Sequence, residues 1–259
     1  MSRDYTVFLW LLKVGALPNL YFLARTLGVD AEASVVVPAL IFFAVSVYRC
    51  LFPVRYEHYV VLHDSVWSSV FATRALATFA EVAYTWLLAC VLLRLNVEHV
   101  AWVNGLAWLM VLQIVVCQGF VWLAILGERF QLYFHEELGW MFMYPANTLA
   151  SAVLLLTADL PAGGARLLQW NLFFGIFYVP FQVANLRAVW AQARKQGATP
   201  AAWTLERLAI GVRRSIRVKN RRTDGESWGG IVGLMWMTGY WVVVLPLWVY
   251  AIVRVLASR

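Results

Sequence analysis

The sequence is poor in charged residues, cysteine and histidine, and each shortage excludes a class of protein. Charged residues make up 14% of the 259 residues and hydrophobic residues 62%, which excludes an ordinary soluble domain. The three cysteines lie in or beside hydrophobic segments at no metal-ligand spacing, so a disulfide framework is not expected. The four histidines do not form the histidine-box set of a di-iron desaturase.

Several motifs that would name a chemistry are also missing. There is no paired Asp-rich motif for a magnesium diphosphate, no H-E-x-x-H and no G-x-S-x-G. Lys13 is the only lysine within a hydrophobic segment, and it lies in the first one. A retinal Schiff base on the last segment is therefore excluded. We expect no cofactor, no metal and no nucleic-acid partner.

Long hydrophobic runs dominate the chain, and their length matches the roughly 20 residues that a helix needs to cross a bilayer. Few residues are left for loops, so residues 1–259 are predicted to form one all-α integral membrane domain of seven transmembrane helices. The predicted spans are 6–28, 35–53, 71–95, 100–126, 138–157, 166–190 and 229–256.

Basic residues predict the orientation, because cytoplasmic loops are enriched in lysine and arginine. Residues 187–222, from the end of the sixth span into the connection to the seventh, hold ten of the 21 basic residues, so we place this connection and the N-terminus in the cytoplasm and the C-terminus outside. Within it, residues 199–222 predict a basic amphipathic helix that binds anionic membrane lipids. We expect a multi-pass protein of the bacterial inner (plasma) membrane.

The third span carries two ionisable residues, Arg74 and Glu81, on one helical face. Such groups cost several kcal/mol at membrane depth unless they are paired or hydrated, and they often mark a functional site. The two residues are separated by about 10 Å along the helix axis, so we expect no direct pairing. We place Arg74 at the inner interface, where its side chain can snorkel, and Glu81 deeper.

Polar and aromatic residues also recur at helical spacing on the fourth, fifth and sixth spans. Lipid cannot satisfy amide groups, so these faces should point inward and meet. With Arg74 they form the predicted substrate-binding set: Trp108, Gln118, Trp122, Trp140, Tyr144, Asn147, Asn171, Tyr178 and Gln182.

An aromatic cavity with a carboxylic acid suits a reaction that passes through a carbocation. The chain contains 14 Trp, 11 Tyr and 15 Phe, and aromatic rings stabilise cations. The leading hypothesis is a membrane enzyme of the lyase or isomerase type, acting on an isoprenoid or polycyclic lipid by acid-initiated cyclisation or isomerisation. Glu81 or Glu136 would be the general acid, and Glu136 the stronger candidate if Arg74 reaches Glu81. In size and helix count the chain resembles the small seven-helix membrane terpene cyclases, although no family motif maps onto particular residues.

Three alternatives remain open from the sequence. The polar stripes could line the path of a small-solute transporter or channel. The residues His58, His63 and His135, with neighbouring carboxylates, could serve a metal-dependent lipid oxidoreductase, although their spacing is poor for one helical face. The chain could also be a ligand-binding or assembly subunit without turnover.

Overall fold

The computed structural model describes residues 4–196 and 204–257, and within them the chain is mainly helical. In chain order the helices are α1 (Thr6–Leu12), α2 (Ala16–Leu27), α3 (Ala33–Leu51), α4 (Val70–Leu95), α5 (Ala101–Gly127), α6 (Phe130–Thr157), α7 (Ala162–Gln196), α8 (Leu205–Arg217), α9 (Gly230–Met237) and α10 (Val244–Ala257). Among the described residues, seven segments are long and apolar enough to cross a membrane: α1 with α2, α3 to α7 singly, and α9 with α10. This confirms the all-α class and the predicted number of long apolar helical segments.

The helix ends differ most from the predicted spans on α6 and α7. The fifth span was predicted to begin at residue 138, but α6 begins at Phe130. The sixth was predicted as residues 166–190, but α7 runs from Ala162 to Gln196. Hydropathy marks only the part of a helix that is apolar, whereas helical hydrogen bonding continues through polar residues until a breaker intervenes.

Contacts divide the chain into two compact units, which are described separately. Unit 1 contains Met1–Tyr84 and Val212–Arg259, and unit 2 contains Thr85–Gly211. Of the predicted site residues, Arg74 and Glu81 therefore belong to unit 1, and the other members belong to unit 2.

In unit 1 the first and last spans each change their winding near the middle. A 3₁₀ turn, Lys13–Gly15, joins α1 to α2, and a π-helical turn, Thr238–Val243, joins α9 to α10. The two irregular turns pack together: a Cβ on Gly15 would lie 2.6 Å from Cγ2 of Val242. Asn19 Nδ2 donates to the carbonyl of Trp241 at 2.9 Å, which satisfies a backbone oxygen in the π turn. Such turns are common at functional sites, because they redirect side chains.

A small three-stranded sheet, which the sequence did not predict, lies among the loops of unit 1. Strand β1 (Val54–Arg55) pairs antiparallel with β2 (Val60–Val61), and β2 pairs parallel with β3 (Asn220–Arg221). Below it, Trp228 is fully buried in a hydrophobic cluster that includes Leu9 and Leu62. The segment after α3 is therefore an ordered part of the unit.

Unit 2 is held by close helix contacts at glycines. A Cβ on Gly139 of α6 would lie 2.1 Å from both Gln113 and Cys117 of α5. A Cβ on Gly175 of α7 would lie 1.9 Å from the hydroxyl of Thr148 on α6. Small residues of this kind let membrane helices approach closely.

The predicted amphipathic helix of residues 199–222 is present in part as α8, while residues 199–203 lie outside the described residues. Thr204 Oγ1 accepts a hydrogen bond from the backbone N–H of Arg207 at 3.3 Å, which caps the helix. A Cβ on Gly211 would lie 2.1 Å from the carbonyl oxygen of Leu126, at the end of α5. Leu205 and Ile210 are exposed on the same short helix as several arginines.

Candidate functional site

Arg74 and Glu81 form a direct, buried salt bridge in unit 1. Arg74 Nη2 lies 2.7 Å from Oε2 of Glu81, and Nη1 lies 3.3 Å from Oε1. Arg74 is 1% exposed and Glu81 is 7% exposed. The two planar groups meet in the bidentate geometry that gives guanidinium–carboxylate pairs their strength.

This pairing corrects two predictions. Residues seven positions apart differ by only about 20° around the helix, and two long side chains that extend toward each other can span about 10 Å of axial rise. The expectation that Arg74 and Glu81 would not pair was therefore wrong. Arg74 also does not snorkel, because its guanidinium is buried against Glu81.

Two residues that the sequence analysis did not single out complete this cluster: Arg49 at the end of α3, and Tyr56 in the loop after it. The guanidinium carbons of Arg49 and Arg74 lie 5.4 Å and 5.5 Å from the centre of the Tyr56 ring. Arg49 donates a hydrogen bond to the Tyr56 hydroxyl. Its guanidinium also lies 4.3 Å from the ring centre of Trp241, in the π turn. The sequence offered one signal for Arg49, a basic residue in the last turn of a span.

In unit 2, the polar stripes of α6 and α7 meet each other. Asn171 Nδ2 donates to Ser151 Oγ at 3.0 Å and lies 3.4 Å from Oδ1 of Asn147. Farther along, Gln182 Nε2 donates to the carboxylate of Glu137 at 2.7 Å and to its carbonyl at 2.8 Å. These amides bind two helices together, which is the ordinary role of such groups in a bilayer.

An aromatic cluster lies beside the amides, between the same two helices. The ring centres of Tyr144 and Tyr178 are 4.1 Å apart, and Phe174 lies 5.1 Å from Tyr144. Trp140 stacks on Tyr144 at 5.9 Å. Glu136 lies one turn before Trp140 on α6 and is 9% exposed. The structure thus places a buried carboxyl on the helix face that carries the rings.

On α5 the predicted stripe is only partly buried. Gln118 is buried and Trp122 is half-buried, but Trp108 is 54% exposed and packs edge-on against Trp86. Trp108 therefore lies on the outer face of the helix instead of the buried face that we expected. Gln118 lies ten residues farther along, and ten residues at 3.6 per turn do not return to the same face.

The histidines do not assemble into a metal site. Within the described residues, no group of three or more His, Cys, Asp or Glu is placed to hold a metal ion. His63 packs edge-on against Trp10, and His135 lies 5.3 Å from Phe120. Burial lowers the pKa of His63, and Lys13 and Arg221 lower it further. These contacts give no support to the metal-dependent alternative.

Comparisons with protein-family models, with curated proteins and with solved structures found no match to this chain. The function is therefore argued from the geometry alone.

Proposed function

We propose that the protein is a membrane-embedded enzyme that acts on a lipid-soluble substrate, of the isoprenoid or polycyclic lipid class, by proton-initiated cyclisation or isomerisation. Glu136 is the proton donor in this proposal. The observation that carries it is the position of Glu136, which is buried one turn before Trp140 on the helix face that also carries Tyr144, whose ring contacts α7.

The proposal assigns different roles to the two buried acids. Both carboxyl oxygens of Glu81 contact the Arg74 guanidinium, so in this proposal Glu81 holds Arg74 and does not act as the acid. Glu136 would add its proton to an alkene carbon or to an epoxide oxygen, and the resulting cation would face Trp140, Tyr144 and Tyr178. Loss of a proton from a carbon next to the final cation, back to the Glu136 carboxylate, would form the product alkene and restore the acid.

The amides of α6 and α7 favour a structural role between the two helices over the lining of a solute pathway. Asn171 and Gln182 use their N–H groups in bonds between the two helices, so they hold the aromatic cluster in place. We therefore rank turnover above transport. In this proposal the N-terminus and α8 lie on the cytoplasmic side of a bacterial inner membrane, and the arginines of α8 contact anionic lipid headgroups.

Turnover of a panel of prenylated substrates in nanodiscs tests the assignment. Glu136→Gln keeps the size of the side chain but removes the acid, and we expect turnover to fall about 100-fold or more. The matched control is Glu98→Gln, the same change at an exposed position between α4 and α5, which should leave turnover unchanged. Full turnover by the folded Glu136→Gln variant would exclude Glu136 as the acid.

A further inference from the structure

Arg49 is a half-buried arginine whose described protein partners are two aromatic side chains. Its guanidinium stacks on Trp241 and donates to the Tyr56 hydroxyl. Among the residues that the structure describes, no carboxylate lies within ion-pair distance of Arg49. The two rings supply no acceptor for the remaining N–H groups of the Arg49 guanidinium, so these groups can donate to a bound anion.

The nearby carboxylates are bound to other arginines. Glu81 is in bidentate contact with Arg74, and Glu57 pairs with Arg55. Arg49 thus differs from Arg55 and Arg74, since each of those two arginines has an acid of its own. Within residues 4–196 and 204–257, no acid is paired with the charge of Arg49.

A small cavity lies beside Arg49. Its lining includes Arg49, Cys50 and Trp241, with apolar residues such as Leu12 and Pro53 around the rest. Its volume of about 10 Å³ is room for about one water molecule. It is too small for a lipid, but it can take one oxygen atom of a ligand that approaches the guanidinium.

We propose that Arg49 and Tyr56 bind an oxyanion, either the phosphate of a lipid headgroup or free phosphate. The planar guanidinium fork matches the spacing of phosphate oxygens. The Tyr56 hydroxyl accepts a hydrogen bond from Arg49 and keeps its own proton, which it donates to the ligand. This site is independent of the proton chemistry proposed for Glu136.

Native mass spectrometry of the detergent-solubilised protein tests whether the ligand is a lipid phosphate. It compares the binding of phosphatidic acid with that of a diacylglycerol that has the same acyl chains. We expect the wild type to prefer phosphatidic acid about tenfold or more, since a charge-assisted hydrogen bond corresponds to roughly that factor. Arg49→Gln should lose the preference. The matched control, Arg55→Gln, removes a neighbouring guanidinium that already has an acid, and should keep it.

Thermal unfolding tests whether the ligand is free phosphate. The unfolding temperature in sodium phosphate is compared with that in sodium chloride of equal ionic strength. If phosphate stabilises the wild type and not Arg49→Gln, the ligand is free phosphate. If the wild type prefers phosphatidic acid but is not stabilised by phosphate, the ligand is the lipid headgroup. The proposal is overturned if the wild type shows neither effect, or if Arg55→Gln loses binding as fully as Arg49→Gln. Should Arg49→Gln not fold, Tyr56→Phe decides: we expect a loss of about threefold or more, and unchanged binding would contradict the site.

Discussion

At the scale of single residues, many of the polar side chains in the spans bond to one another. Arg74 pairs with Glu81 in unit 1, and Asn171 bonds to Ser151 in unit 2. Lipid offers no hydrogen-bond partners, so such pairing is the minimum that a stable bundle requires. A polar residue in a span is therefore weak evidence for chemistry until its partners are known.

The Arg74–Glu81 pair should be strongly coupled. Glu81→Gln removes the charge opposite a buried guanidinium, and we expect it to lower the free energy of unfolding by about 3 kcal/mol. The double variant Arg74→Met, Glu81→Leu leaves no buried charge at this position and should be less destabilised than Glu81→Gln. Unfolding by dodecyl sulfate in mixed micelles measures both, and equal losses in the two would contradict a tight pair.

The lowered pKa of His63 predicts that acid weakens the fold. Its ordinary value is 6.5, and burial, Lys13 and Arg221 depress it in the folded protein. The unfolded state therefore binds the proton more tightly, and stability decreases as the pH falls below about 6.5 until the folded-state pKa has been passed. His63→Asn should reduce this dependence in unfolding measured from pH 7.5 to 4.5. The matched control is His99→Asn, at an exposed position whose positive φ suits asparagine. This control variant should keep the pH dependence of the wild type.

At the scale of elements, the spans were predictable and their irregular turns were not. Hydropathy reports a run of apolar residues, and each predicted span overlaps a long helical segment. The π turn at Thr238–Val243 depends on Asn19, which is more than 200 residues away and donates to the Trp241 carbonyl. The two-residue strand β3 likewise forms by pairing with β2, a segment far away in the sequence. Local sequence carries no signal for either feature.

The contact between the two irregular turns should tolerate no added methyl group. Gly15→Ala would place a Cβ against the stiff, branched side chain of Val242, and overpacking of this kind costs about 1–3 kcal/mol. Gly105→Ala on α5 is the matched control, because a Cβ there meets nothing within 4 Å. It should be neutral or slightly stabilising. Similar unfolding curves for the two variants would show that the Gly15 contact is looser than described.

At the scale of the whole molecule, the fold class could be predicted from the sequence because a bilayer fixes the length of apolar helices. The residues of the candidate sites could not, because they are brought together by tertiary contacts. Seven apolar runs of the right length predict seven spans because the hydrocarbon thickness fixes the length of a helix. The pairing of Arg49 with Tyr56 could not be read in the same way, since a helix end and a loop lie between them. The sequence predicted that Tyr144 lies on a polar and aromatic face of its helix. It did not predict which rings of α7 contact Tyr144, and the structure shows that Tyr178 is one of them.

The central claim is that the protein transfers a proton to a lipid-soluble substrate, and for an alkene substrate that proton is added to carbon. Mass spectrometry of the product formed by wild-type protein in nanodiscs, prepared in D₂O with prenylated alkenes that carry no epoxide, tests it most directly. Cyclisation or isomerisation leaves the formula unchanged, and the acid exchanges its proton with solvent, so the product should carry one carbon-bound deuterium. A product without carbon-bound deuterium, or one that has gained or lost oxygen or hydrogen, would contradict the claim.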